Sequence, residues 1–223
     1  MKLKVCGMKY QENIETIAAL QPDYLGFIFY EKSPRNFDQD IPQIPDSIKK
    51  VGVFVDEALN KIVLKIAKHN LKAIQLHGDE SPEYCKALKE VQLSLPIMEN
   101  GVEVGFKPYN FEIWKVFSIK DKFNFDTLLP YEGIIDYFLF DTKGKEKGGN
   151  GYTFDWSVLN NYNSNTPFIL SGGIGLQEVE KIQAILKTNL PIYAIDVNSK
   201  FEIEPGLKNI HDLKEFKNLL SVD

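Results

Sequence analysis

Eight short apolar runs recur along the chain, at 3–6, 24–29, 50–55, 73–76, 113–119, 137–141, 168–170 and 193–197, and several are apolar throughout. A strand with one wet face alternates apolar and polar residues. A strand buried on both faces does not, and this is how strands of a covered parallel sheet look. Parallel neighbours need crossovers, and the gaps supply helical patterns. Ile14, Ile17, Ala18 and Leu20 fall near helical spacing within 11–20, as do Leu59, Ile62, Val63, Ile66 and Ala67 within 56–69. Ser81-Pro82-Glu83 reads as a cap and a first-turn proline opening a helix over 83–90. Segments 154–159, 176–186 and 210–220 complete the set, while Pro42 and Pro45 limit 38–47 to a turn or two.

Strands alternating with helices imply right-handed βαβ crossovers. Eight strands with about seven helical segments fit an α/β fold of the closed (β/α)₈ TIM-barrel type better than an open sheet, with 1–223 as a single domain. One stretch is ambiguous. Leu93-Ser94-Leu95-Pro96-Ile97-Met98 competes with 113–119 for the fifth strand, and 113–119 is preferred because Pro96 has no N–H to give an internal ladder.

Composition narrows the partners. The formal charge of −5 carries no long block of one sign, which argues against nucleic acid as a partner. No run approaches the roughly 20 apolar residues of a membrane span, and the N-terminal run is too short for a signal peptide. Two cysteines make no disulfide framework, so a cytoplasmic home is expected. Three scattered histidines show no metal spacing; His69 and His211 look like surface helix residues. Trp114 and Trp156 read as packing residues. Whether the chain is a monomer or a homodimer is left open.

Two runs end in a reactive group followed by a glycine-bearing loop. Leu3-Lys4-Val5 stops at Cys6, and Tyr137-Phe138-Leu139-Phe140 stops at Asp141. Barrel enzymes keep catalytic groups where parallel strands end, so Cys6 and Asp141 are the first choice for a base and an acid. The plainer alternatives are a buried hydrophobe for Cys6 and a turn cap for Asp141. Cys85, within 83–90, is read only as the former.

Several segments, in order, resemble the phosphoribosylanthranilate isomerase family of tryptophan biosynthesis. They are Lys4-Val5-Cys6-Gly7-Met8; Leu25-Gly26-Phe27-Ile28-Phe29-Tyr30 with Lys32-Ser33-Pro34-Arg35; Lys50-Val51-Gly52-Val53-Phe54-Val55; Ile74-Gln75-Leu76-His77-Gly78-Asp79-Glu80; Phe140-Asp141-Thr142 with Gly148-Gly149-Asn150-Gly151; Ser171-Gly172-Gly173-Ile174; and Asp196-Val197-Asn198-Ser199 with Pro205-Gly206. Lys9 stands where the family usually has threonine, and Lys200 near its usual glycine.

The resemblance implies an Amadori rearrangement of N-(5′-phosphoribosyl)anthranilate, a small phosphorylated substrate, without metal or cofactor. Cys6 would be the general base, at a site favouring the thiolate, and Asp141 the general acid, partly desolvated. The planar fork of Arg35 suits the anthranilate carboxylate. Gln75 and His77, at the end of strand four, would line the substrate pocket. Gly172 and Gly173, before a helix, would cradle phosphate with backbone N–H groups, helped by Asn198 and Ser199 from the next loop. Asp196 would order that loop. The glycine- and lysine-rich 143–151 reads equally well as a closing lid or a solvated loop. The alternative function is a non-catalytic, or differently acting, phosphate-binding barrel.

Overall fold

The computed structural model describes residues 1–91, 95–99, 102–107, 109–120, 122–142 and 153–220, with only the backbone described for 95–99 and 102–107. Eight strands close into a barrel: β1 (Lys2–Val5), β2 (Tyr24–Ile28), β3 (Lys49–Phe54), β4 (Ala73–Leu76), β5 (Glu112–Ile119), β6 (Tyr137–Thr142), β7 (Phe168–Leu170) and β8 (Ile192–Val197). Each pairs in parallel with its sequence neighbours, and β1 closes on β8 with Lys4 opposite Asp196. The preference for 113–119 as the fifth strand holds. Leu95–Glu99 instead pairs antiparallel with Val102–Lys107 outside the barrel. In a two-stranded ribbon every strand is an edge, which is where a proline such as Pro96 is tolerated.

The outer layer contains α1 (Gln11–Ala18), α2 (Leu59–His69), α3 (Pro82–Val91), α4 (Val179–Leu186) and α5 (Ile210–Leu220). After β5 and β6 the described residues of the crossovers form 3₁₀ turns, Phe125–Tyr131 and Trp156–Asn161. Pro130 lies inside the first, and side chains of Asn124 and Asp155 accept N–H bonds at the two starts. The expected helix over 176–186 splits into a 3₁₀ turn, Leu176–Glu178, and α4. Among the described residues no helix covers β2; Phe37, Ile44 and Ile48 from the proline-bearing connection are buried there instead.

His69 is a correction. It is the last residue of α2 and is buried, continuing the inward stripe of Ile62 and Ile66, with its ring stacked on Phe29 at 5.2 Å. His211 is exposed, as expected, and Cys85 is fully buried. Among the described residues no helix is long and apolar enough to cross a membrane.

Inside the barrel, strand period decides what faces what. Successive side chains alternate between lumen and outer layer. The lumen cluster is Tyr24, Val51, Ala73, Trp114, Val116, Leu139, Ile169 and Ala194, with Trp114 edge-on to Tyr24 at 5.0 Å. Stepping two residues from these along each strand reaches Gly26, Val53, Gln75, Asp141, Ser171 and Asp196. The same parity carries Lys4 to Cys6, and Gln75 to His77. The reactive groups named from sequence therefore sit on the inward face at the C-terminal ends of their strands.

Candidate active site

One pocket occupies that C-terminal mouth. Its lining includes Cys6, Arg35, Gln75, His77, Asp141, Gly172, Gly173, Asn198 and Ser199, together with Asp196, Ser171 and Lys200. All nine residues singled out from the sequence thus meet in one cavity. Gly7 makes the first turn tight: its φ is +74°, and a Cβ there would lie 2.7 Å from Asn198 Oδ1. The chain leaving Cys6 is thereby held against the loop after β8.

The thiol end is built on a buried ion pair. Lys4 Nζ, with no exposed surface, donates to Asp196 Oδ1 at 2.9 Å and to Gln75 Oε1 at 2.8 Å. Asp196 Oδ2 accepts from Ser171 Oγ at 3.0 Å. Burial works against the Lys4 charge, but Asp196 and Cys6 outweigh it and raise its proton affinity. Cys6 is itself buried, and burial pushes its thiol up despite the opposing pull of Lys4 and, more weakly, Lys208. A site favouring the thiolate was expected. The protein alone provides cations near the sulfur, and desolvation outweighs them. Asp196, expected to order the phosphate loop, accepts from Ser171, the residue before Gly172.

At the other end, Asp141 is 6% exposed. Its Oδ1 accepts the Thr142 N–H at 2.8 Å, so the turn-capping role is present, while Oδ2 stands 3.5 Å from His77 Nε2. His77 Nδ1 lies 3.3 Å from Gln75 Nε2. The loop carrying His77 is clamped from outside the barrel. Glu80 accepts from Gly78 N and Asp56 N, and pairs at 3.1 Å with the buried Lys115 of β5. Gly172 presses on the acid from β7: φ is +88°, and a Cβ there would meet Thr142 N at 2.4 Å and Asp141 Oδ1 at 2.7 Å. Only glycine suits both the dihedral and the space.

Arg35 lies at the rim with its fork already filled. Its Nε is 2.9 Å and its Nη2 2.6 Å from oxygens of Glu202, which also takes Lys208 Nζ at 2.6 Å. Burial opposes the Glu202 carboxylate, but Arg35 and Lys208 more than compensate and hold it below the usual carboxylate range. Lys208 also donates to Asn198 Oδ1 at 2.6 Å, tying this group to the loop after β8. A ligand carboxylate at Arg35 would share or replace Glu202.

On the opposite rim, Gly172 and Gly173 both have positive φ. Gly175 N is spent on Glu178 Oε2 at 2.8 Å. Lys200, in the 3₁₀ turn Ser199–Phe201, packs its Cβ 3.1 Å from the position a Gly175 Cβ would take. Lys9, the other departure, donates to Pro34 O at 3.0 Å and braces the Arg35 loop. The lid or loop at 143–151 lies outside the described residues. Sequence reading missed Lys4, Ser171, Glu202 and Lys208. Lys4 carried a signal: a charge inside an apolar run, two residues before the thiol.

A family model described as N-(5′phosphoribosyl)anthranilate (PRA) isomerase matches residues 3–100 and 98–218. The N-(5′-phosphoribosyl)anthranilate isomerase of Parabacteroides distasonis is 43% identical, over 97% of this chain and 91% of its own. Among solved structures, phosphoribosyl anthranilate isomerase from Thermotoga maritima superposes with a TM-score of 0.79 at 28% identity, covering 99% of this chain and 98% of that one. A further structure of such an enzyme, in complex with reduced 1-(o-carboxyphenylamino)-1-deoxyribulose 5-phosphate, gives 0.76 at 25% identity with the same coverage. With a closed parallel barrel whose mouth gathers a thiol, a carboxyl group and two glycines, this chain belongs to the N-(5′-phosphoribosyl)anthranilate isomerase family.

Proposed function

We propose that the chain converts N-(5′-phosphoribosyl)anthranilate to 1-(2-carboxyphenylamino)-1-deoxyribulose 5-phosphate, with Asp141 as general acid and Cys6 as general base. The observation that carries this reading is that both groups line one pocket. Asp141 gives its proton to the furanose ring oxygen as the bond from that oxygen to C1′ breaks. The anthranilate nitrogen lone pair moves in to form C1′=N⁺, a protonated Schiff base. Cys6, as thiolate, takes the proton on C2′; the C2′–H pair becomes the C1′=C2′ bond of an enolamine while the C1′=N⁺ π pair returns to nitrogen. Return of a proton to C1′ and loss of the enol proton give the ketone. Two hydrogens change place; C2′ is oxidised and C1′ reduced within the same molecule, so no external oxidant or reductant is needed.

The electrostatics suit this order. A buried thiolate is costly in the free protein, and the cationic Schiff base lies beside it only after ring opening. Lys4 and Lys208 lower the remaining cost. Arg35 binds the anthranilate carboxylate in place of Glu202, or alongside it. Phosphate sits between the loops after β7 and β8, on Gly172, Gly173, Asn198 and Ser199, with Lys200 adding a cation at the rim; Gln75 and His77 floor the pocket. Both cysteines are unpaired, which suits a reducing compartment such as the cytoplasm.

Turnover of phosphoribosylanthranilate, followed by anthranilate fluorescence without added cofactor, tests the assignment. Inorganic phosphate is expected to compete with substrate. No fluorescence change with intact protein would overturn the proposed activity, and a phosphate effect absent from KM would overturn the phosphate site.

A further inference from the structure

The acid end of the pocket is oriented by a hydrogen-bond chain that begins at the base end. Lys4 Nζ donates to Gln75 Oε1 at 2.8 Å, and an ammonium can only donate. The Gln75 carboxamide therefore has one orientation, with oxygen toward Lys4 and NH₂ toward His77. Its Nε2 lies 3.3 Å from His77 Nδ1. A carboxamide nitrogen also only donates, so Nδ1 must accept, and the ring proton belongs on Nε2. Nε2 is buried, has no hydrogen-bond partner among the described residues, and faces Asp141 Oδ2 at 3.5 Å. A second ring proton, on Nδ1, would set N–H against the N–H of Gln75.

We propose that Lys4 and Gln75 are positioning residues that hold His77 as its neutral Nε2–H tautomer, which stabilises the carboxylate left when Asp141 gives up its proton. The proposal rests on Asp141 being the acid. An imidazolium beside Asp141 would fix it as a carboxylate with no proton to give. A neutral N–H donor gains most as charge develops on the oxygen, so its effect is largest in the transition state. Around His77 the other charged groups are Asp79, Lys115 and the Glu80 that pairs with it, besides Asp141 itself. Asp196 and Cys6 face Lys4, Lys208 influences the thiol, and Arg35 and Glu202 stand behind Lys208. One buried cation thus serves both ends of the reaction.

Gln75→Glu tests this with little change of size. Its carboxylate accepts from Lys4 and demands a proton on His77 Nδ1. In ¹⁵N-labelled protein, with the His77 signals assigned by their loss in His77→Asn, the wild type is expected to show the Nε2–H pattern near neutral pH. Gln75→Glu is expected to show the Nδ1–H or imidazolium pattern. Its kcat should fall at least about tenfold with KM within about twofold, and the acid limb of its pH profile should move. A wild-type His77 protonated on Nδ1, or a switched tautomer with kcat within about twofold of wild type, would overturn the proposal. Asp141→Asn is assayed beside it: normal turnover there defeats the acid assignment itself, whereas the tautomer readout does not depend on turnover.

Discussion

Replacing Lys4 with methionine asks whether the lumen is built around charge. Lys4 is 0% and Asp196 5% exposed, and they face each other across β1 and β8. Lys4→Met keeps much of the stem's volume but leaves the Asp196 carboxylate with the Ser171 hydroxyl at 3.0 Å as its side-chain donor. Stranding one partner of a buried pair costs about 3–5 kcal/mol. Gln75 Oε1 loses its donor too, adding about 1 kcal/mol. Against a total stability of about 5–15 kcal/mol, this is a large fraction. Asp196→Leu should cost a similar amount by stranding the ammonium. Exchanging both partners for apolar side chains is close to neutral in general, so the double variant should recover about 3 kcal/mol relative to the sum of the singles. Urea unfolding of the four proteins by circular dichroism measures this cycle. The double variant is expected to be folded and nearly inactive, having lost both the cation beside Cys6 and the orientation of Gln75. Additive single effects, or singles each below about 1 kcal/mol, would refute the reasoning.

Arg35→Ala should raise KM by roughly tenfold to a hundredfold while kcat changes little, the worth of a charge-assisted bidentate contact made equally in ground and transition states; steady-state kinetics on phosphoribosylanthranilate decide it. His69 gives a pH prediction. Burial pushes its proton affinity down to about 4 from an ordinary value near 6.5. The unfolded chain therefore binds a proton first as pH falls, so this stability is complete above about 6.5 and is lost on the way to about 4. The loss reaches up to about 3 kcal/mol. His69→Phe, which keeps the stacking on Phe29, should flatten that part of the curve of stability against pH in urea titrations.

The barrel was legible because its strands are apolar on both faces, and parity along them carried Cys6, His77 and Asp141 to the same mouth. Helix type was less legible. The helical pattern over 154–159 became the 3₁₀ turn Trp156–Asn161, and Phe125–Tyr131, with Pro130 inside it, was not picked out; side-chain caps start both. His69 was misread through its polarity, although its spacing of three and seven residues from Ile66 and Ile62 already pointed inward. Lys4, Glu202 and Lys208 escaped for a different reason. The charge inside the first apolar run marks Lys4 but not its partner Asp196, 192 residues on, and the Glu202–Lys208 pair gains its role only through Arg35, 167 residues before Glu202.

Side-by-side turnover of wild type, Cys6→Ser, Asp141→Asn and the double variant is the most direct test of a base and an acid working in one pocket. Each single change should lower kcat by about 10²–10⁴-fold, and the double should be little worse than the weaker single, because the two groups serve one reaction. A Cys6→Ser or Asp141→Asn enzyme within tenfold of wild type would contradict the account.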